Sequence, residues 1–228
     1  MKAIILAAGE GVRMRPLTLE NPKPLLKVGG VPIIERLIAQ LPEKVDELIV
    51  VIGYLGEKIQ NYLGDEFLGR KINYVWQKER HGTYHAIEQA RHLLNNEPFA
   101  AFFADDILDQ KTIHELLEHP LAVVAAEVPD ARPFGVIVLN PDGTIADVEE
   151  KPEMPKSNLV LTTAYTFTPH IFRYAPAPHP NGEFYLSHAL SKMAKEHPIM
   201  VVKARMWLPI GKPEDILKAE IALKNLEN

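Results

Sequence analysis

"KAIILAAGEGVRMRPLT", residues 2–18, opens with a short apolar run that stops at a Gly-x-Gly and passes at once into two arginines, a proline and a threonine. The run from Lys2 to Ala8 reads as a buried strand, ended by Gly9. An apolar strand that meets two glycines is either an ordinary strand-turn-helix corner or a loop whose backbone N–H groups approach a ligand closely. Gly9 and Gly11 alone do not decide between these. The spacing matches neither the Walker A pattern nor G-x-G-x-x-G, since Met14 stands where the last glycine of the latter belongs.

The same strand character recurs in "DELIVVIGY" (46–54), "KINYVWQ" (71–77) and "FAAFFADDIL" (99–108). Between these runs lie helical patterns: "PIIERLIAQL" (32–41), "GEKIQNYLG" (56–64) and "GTYHAIEQARHLL" (82–94), where Ile87, Ala90, Arg91 and Leu94 recur at helical spacing. Strands alternating with helices predict an α/β fold, a mostly parallel sheet with helices on both faces. The second half is more mixed. "LAVVAAEV", "FGVIVLN", "IADVEEKP" and "LVLTTAYTFTP" read as strands, with a "PDGT" turn at 141–144. A helix "YLSHALSKMAKEH", a strand "IMVVKARMW" and a last helix "PEDILKAEIALKNLE" follow. No repeat or low-complexity tract divides the chain, so one domain is expected over 1–228.

Composition narrows the function. With 46% hydrophobic and 24% charged residues among 228, the chain belongs with ordinary folded proteins rather than disordered or fibrous ones. A net charge of -5 speaks against non-specific nucleic-acid binding, which needs many Lys and Arg on phosphates, though a local anion site stays open. The absence of cysteine excludes disulfides, thiolate metal sites and cysteine nucleophiles, and makes the cytoplasm the expected compartment. The apolar run at the start is too short for a signal-peptide core, and none of the others reaches the length of a membrane span.

In an open parallel sheet, ligands bind beyond the carboxyl ends of the strands. There the string "LAAGEGVRMRPLT" followed by "NPKPLLKVGGVPII" resembles the signature of the sugar-1-phosphate nucleotidylyltransferases, a Rossmann-like nucleotide-sugar transferase fold. Gly9, Gly11, Arg13, Pro16, Leu17, Thr18, Lys23, Pro24, Leu25, Gly30 and Pro32 match, and Val12 replaces the usual Thr. The resemblance implies that Leu6, Ala7, Ala8, Gly9 and Gly11 contact a nucleotide, and that Arg13 and Lys23 act on its phosphates. "WQKERHGTYHAIEQA" resembles the base-contacting segment, with Gln77, Gly82 and Thr83 as its members. Gln offers a donor and an acceptor, which suits a pyrimidine imide edge. His85 is read as a helix-packing or supporting residue rather than as a base. "FFADDILD" resembles the segment whose Asp holds magnesium, and Asp105 takes that place; Asp106 and Asp109 are read as lower-ranked, solvated loop carboxylates. A hard cation with oxygen ligands suits triphosphate chemistry.

The resemblance continues into a sugar half from about 111, after a nucleotide half of about 1–110. There Gly135, Glu150, Lys151 and Thr162 are the sugar-phosphate candidates: Gly135 beside the sugar, Glu150 on its hydroxyls, Lys151 on its phosphate. Three positions depart from the pattern. Pro209 stands where many members carry a second metal-binding Asp, Thr163 where a Gly is usual, and His188 where an Asp is usual, although Trp207, Gly211, Pro213 and Ile216 fit. The implied activity is transfer of a nucleotidyl group to a sugar-1-phosphate with magnesium, UTP favoured and dTTP next. A guanylyltransferase acting on mannose-1-phosphate and a non-catalytic nucleotide-sugar sensor are the alternatives. The implied partners are the two substrates, with neither nucleic acid nor membrane; a homo-oligomer is left open, and no appended acyltransferase domain is expected.

Overall fold

The computed structural model describes residues 1–79 and 81–227. Its first half is the predicted alternation. Strand β1 (Lys2–Ala7) is followed by a loop of three 3-10 turns, a small hairpin of β2 (Lys27–Val28) and β3 (Val31–Pro32), and helix α1 (Ile33–Gln40). Then come β4 (Glu47–Ile52), α2 (Gly56–Leu63), β5 (Glu66–Phe67), β6 (Arg70–Trp76), α3 (Thr83–Gln89), β7 (Phe99–Phe103), β8 (Asp106–Leu108) and α4 (Gln110–Leu116). The second half carries β9 (Ala122–Glu127), β10 (Gly135–Leu139), β11 (Ile145–Glu150), β12 (Leu159–Phe167), α5 (Leu186–Ala194), β13 (Met200–Lys203), β14 (Trp207–Pro209) and α6 (Pro213–Glu227).

The main sheet runs β11-β10-β12-β7-β1-β4-β6-β5, with β9 on the other edge of β12 and β13 beyond it. β1, β4, β6 and β7 are parallel, and β12 is antiparallel to β7, β9 and β10, so the sheet is mixed. Alternate residues of β1 divide between its two faces. Ala3, Ile5 and Ala7 pack with Ile34 and Ile38 of α1, Ile59 of α2 and Ile113 of α4, whereas Ile4 and Ala8 pack with Ile87 of α3 and Leu190 of α5. Helices therefore cover both faces, as expected. Each fully buried Ile or Phe in these layers contributes roughly 1.5–3 kcal/mol.

Several predicted elements are divided. The run 99–108 leaves the main sheet after Ala104, whose N–H donates to Leu6 O at 3.0 Å, and β8 pairs with β14 in a sheet of its own. The run 199–207 splits likewise into β13 and β14, because Met206 N–H donates to Asp109 Oδ2 at 3.0 Å and turns the chain. The helix expected over 82–94 stops at Gln89, continues as a 3-10 turn at 91–93 and ends at Asn95 and Asn96, both left-handed. Helix α4 was not anticipated. Its N-cap is Asp109, which accepts from Thr112 N–H at 2.9 Å, so the reading of Asp109 as a solvated loop carboxylate is corrected to a structural cap.

Candidate active site

The carboxyl ends of β1, β6 and β7 open on a cavity of about 830 Å³, and every residue assigned to the nucleotide side lines it. Leu6 to Gly11, Arg13, Lys23, Gln77, Gly82, Thr83 and Asp105 all belong to its lining. Its size suits a nucleotide-sized ligand.

The glycine loop is shaped by its own contacts. Gly11 has φ +60°, and a Cβ there would lie 3.0 Å from Thr18 Cγ2 and 3.3 Å from Lys23 Cβ. Its carbonyl accepts from Thr18 Oγ1 and Met14 N–H, both at 2.8 Å, so the matched threonine fixes the matched glycine. Arg15 is ion-paired to Glu10 across the loop. Arg13, by contrast, is exposed and makes no hydrogen bond or ion pair among the described residues, leaving its planar fork for the cavity.

Lys23 is 9% exposed, and its Nζ lies 3.1 Å from Asp105 Oδ2. Asp105 Oδ1 is buried with no partner among the described residues. An orphaned carboxylate oxygen beside a lysine is what a divalent cation held by one carboxylate and substrate phosphates requires, so the donor set fits magnesium. No cluster of three His, Asp or Glu suited to a metal exists among the described residues, so the remaining ligands would be phosphate or water oxygens.

Asp106 does not replace the carboxylate missing at Pro209. Its Oδ2 accepts from Trp207 Nε1–H and its Oδ1 from Ile210 N–H, both at 2.9 Å, and Pro209 is its strand partner. Burial first, then the Asp105 charge, pushes the Asp106 carboxyl up to about 7. It is a clamp, not the solvated loop carboxylate expected from sequence. Asp215 is likewise committed, accepting from Gly211 N–H at 3.0 Å and Lys212 N–H at 2.9 Å where α6 begins.

Gly82, also in the lining, has φ +91°, and a Cβ would meet Phe184 O at 2.7 Å, so only glycine fits. The loop is stitched to the segment before α5. Phe184 N–H donates to His81 O at 2.7 Å, Tyr84 N–H to Phe184 O at 2.9 Å, and Leu186 N–H to Thr83 Oγ1 at 3.0 Å. Gln77 Nε2 lies 3.3 Å from Gly82 O and 3.0 Å from His85 Nδ1. Burial, then the neighbouring His81, holds the His85 imidazole below its usual value, with Glu88 and Glu79 acting the other way.

The sugar-side candidates sit beside the cavity rather than in its wall. Gly135 and Glu150 are paired across β10 and β11; Glu150 accepts from Ser187 Oγ at 2.6 Å and ion-pairs with Lys151 at 3.2 Å. Lys151 adopts φ +45°, unusual for a non-glycine residue, and its Nζ stands 4.9 Å from the centre of the Tyr185 ring. Tyr185 itself lines the cavity, as does Glu183. Neither is among the sequence candidates; the signals were the resemblance of "GEFYLSHAL" to a family segment and its position in a loop before an amphipathic helix. Thr162 is not brought to the site. Its side chain is buried and its hydroxyl donates to Val124 O at 2.9 Å, filling the gap where β12 and β9 lose register. His188 packs 5.7 Å from the Tyr185 ring, in place of the usual Asp.

A family described as Nucleotidyl transferase matches residues 2–225. UTP-glucose-1-phosphate uridylyltransferase AglF of Haloferax volcanii is 36% identical over 237 residues, covering 98% of this chain and 97% of that one. Bifunctional protein GlmU of Methanocaldococcus jannaschii is 35% identical over 222 residues, covering 96% of this chain and 53% of the relative. The chain thus spans about half the length of several bifunctional relatives. A crystal structure of UDP-glucose pyrophosphorylase complexed with UDP-glucose aligns with a TM-score of 0.88 at 26% identity, over 99% of this chain and 98% of that one.

Proposed function

The chain belongs to the nucleotidyl transferase family, and from that premise we propose that it transfers a uridylyl group from UTP to a sugar-1-phosphate, releasing pyrophosphate. The observation that carries this reading is the Lys23–Asp105 pair at 3.1 Å in the cavity wall, with the unpaired guanidinium of Arg13 lining the same space. A cavity lined both by Arg13 and Lys23 and by the Gln77 amide, which is suited to a base, matches a nucleoside triphosphate. The preference for UTP over dTTP is supported by the similarity to a protein named for UTP and glucose-1-phosphate.

In the reaction, an oxygen of the sugar-1-phosphate bonds to the α-phosphorus while the bond from that phosphorus to the bridging oxygen breaks, and pyrophosphate leaves with the electron pair. The attacking phosphate is already ionised at neutral pH, so no protein base is needed. Arg13 holds the leaving phosphates through its fork, Lys23 offsets charge on the α-phosphate, and Lys151 orients the incoming phosphate. A magnesium ion held by Asp105 would add further charge neutralisation between phosphate oxygens. Both substrates are phosphorylated metabolites, and the compartment proposed is the cytoplasm. No helix among the described residues is long and apolar enough to cross a membrane.

Pyrophosphate release with UTP, magnesium and a panel of sugar-1-phosphates tests the proposal. Arg13→Ala and Lys23→Ala are each expected to lower turnover by about 10²–10³-fold, the range for losing one transition-state donor; wild-type rates in both would overturn it. Pro209 favours a second reading, a nucleotide-sugar sensor, for which UTP would bind without pyrophosphate release.

A further inference from the structure

We propose that His85 sets the polarity of the base-reading group, so that the site accepts a base presenting an N–H donor to Gln77 and refuses one presenting a lone pair. The inference rests on the transfer reaction proposed above and deepens it by naming what selects the nucleotide.

Gln77 is 5% exposed and lines the cavity beyond the end of β6. Its amide has one acceptor oxygen and one nitrogen with two hydrogens. The backbone carbonyl of Gly82, 3.3 Å away, only accepts, so the amide nitrogen must face it. The same nitrogen faces His85 Nδ1 at 3.0 Å, while His85 Nε2 lies 3.0 Å from the amide group of Gln89. A neutral imidazole has one lone-pair nitrogen, so Nδ1 accepts from Gln77 with the proton on Nε2, and the Gln89 amide then presents its oxygen to that proton. Both Gln77 amide hydrogens are thereby engaged, and the oxygen is the atom left for a ligand. Turning the amide over would set its oxygen against the Gly82 carbonyl, acceptor to acceptor. Removing His85 frees one hydrogen and one of the two restraints on that rotation. A uracil ring offers N3–H to the oxygen. Cytosine offers a bare N3, leaving two buried acceptors opposed, and adenine offers a bare N1. His85 is a positioning residue here and touches no substrate.

The test compares UTP with CTP in wild type, His85→Phe and His85→Asn. Asn places an oxygen near the position of Nδ1 and accepts in its stead; Phe keeps the ring and loses the acceptor. The readout is the ratio of kcat/KM for the two triphosphates, which does not depend on how much of each variant is folded. The expected result is a ratio reduced about tenfold or more in His85→Phe, through a raised KM for UTP, and largely restored in His85→Asn. A ratio unchanged in His85→Phe, or equally reduced in both variants, overturns the inference. Calorimetric titration of UTP and CTP into the same proteins separates this from the reaction itself. UTP-selective binding that His85→Phe weakens, without turnover in wild type, would remove the proposed reaction and leave the selector standing; binding of neither triphosphate would remove both.

Discussion

Lys23 and Asp105 are 82 positions apart in sequence and meet at 3.1 Å, whereas Asp105 and Asp106 are neighbours with opposite uses. One carboxylate keeps a buried oxygen without a partner among the described residues, and the other spends both oxygens on Trp207 and Ile210. The same contrast bounds what was readable beforehand. Gly11, Thr18 and Lys23 lie close in the chain and act on one another, so their pattern carried its own meaning. The clamp role of Asp106 depends on residues about a hundred positions away, and an acidic pair in a loop gives no hint of it. Thr162 fails for a related reason: within a strand buried along its whole length, a local irregularity in pairing decides which way a hydroxyl turns. At this scale the titration of His85 makes a prediction. Its folded-state value is held below the ordinary 6.5, with His81, Glu88 and Glu79 as the titratable neighbours. The neutral imidazole therefore persists at neutral pH, and its contribution to stability is complete above 6.5 and lost as the pH falls through the folded value. The UTP-to-CTP ratio should hold constant from pH 7 to 8 and decline only in acid, where Nδ1–H would face the Gln77 nitrogen. A pH series of that ratio, flat throughout in His85→Asn, is the measurement.

Between elements, the small β8–β14 sheet fastens the carboxylate strand to the C-terminal segment. Trp207 donates to Asp106, and its ring packs edge-on against Phe134 at 5.5 Å, one residue before Gly135. One side chain thus joins β8 to the segment that leads into β10. Trp207→Phe keeps a ring against Phe134 and deletes the N–H, leaving Asp106 Oδ2 short of a donor; unfolding in urea should show a loss of about 1–3 kcal/mol. A change below a few tenths would mean that the clamp is slack. The strands forming this sheet were read as the tails of longer runs, since apolar patterning is blind to a chain that leaves one sheet and enters another. The helices flanking the main sheet were legible because their periodicity is strong. Helix α4 escaped because its start is a single Asp cap after an acidic stretch that resembled a loop.

For the molecule as a whole, the net charge of -5 extends to the cavity, where Arg13 and Lys23 share the lining with Glu10, Asp105 and Glu183, so the site offers individual cationic groups rather than a positive patch. The two apolar layers each draw residues from both halves of the sequence: Ile4 and Ile199 share one, Ala3 and Val202 the other. One cooperative unfolding transition is therefore expected, with far-UV circular dichroism and tryptophan fluorescence, reporting Trp76 and Trp207, coinciding in urea. Two separated transitions would show that the nucleotide and sugar halves fold independently. The backbone stitching between 81–84 and 184–186 has a consequence for how such a protein changes over generations or in the hands of an engineer. The two segments are one cassette: exchanging the 184–186 segment also exchanges the brace behind Gly82. A graft that carries only one of them would arrive with its reading frame for the base out of alignment.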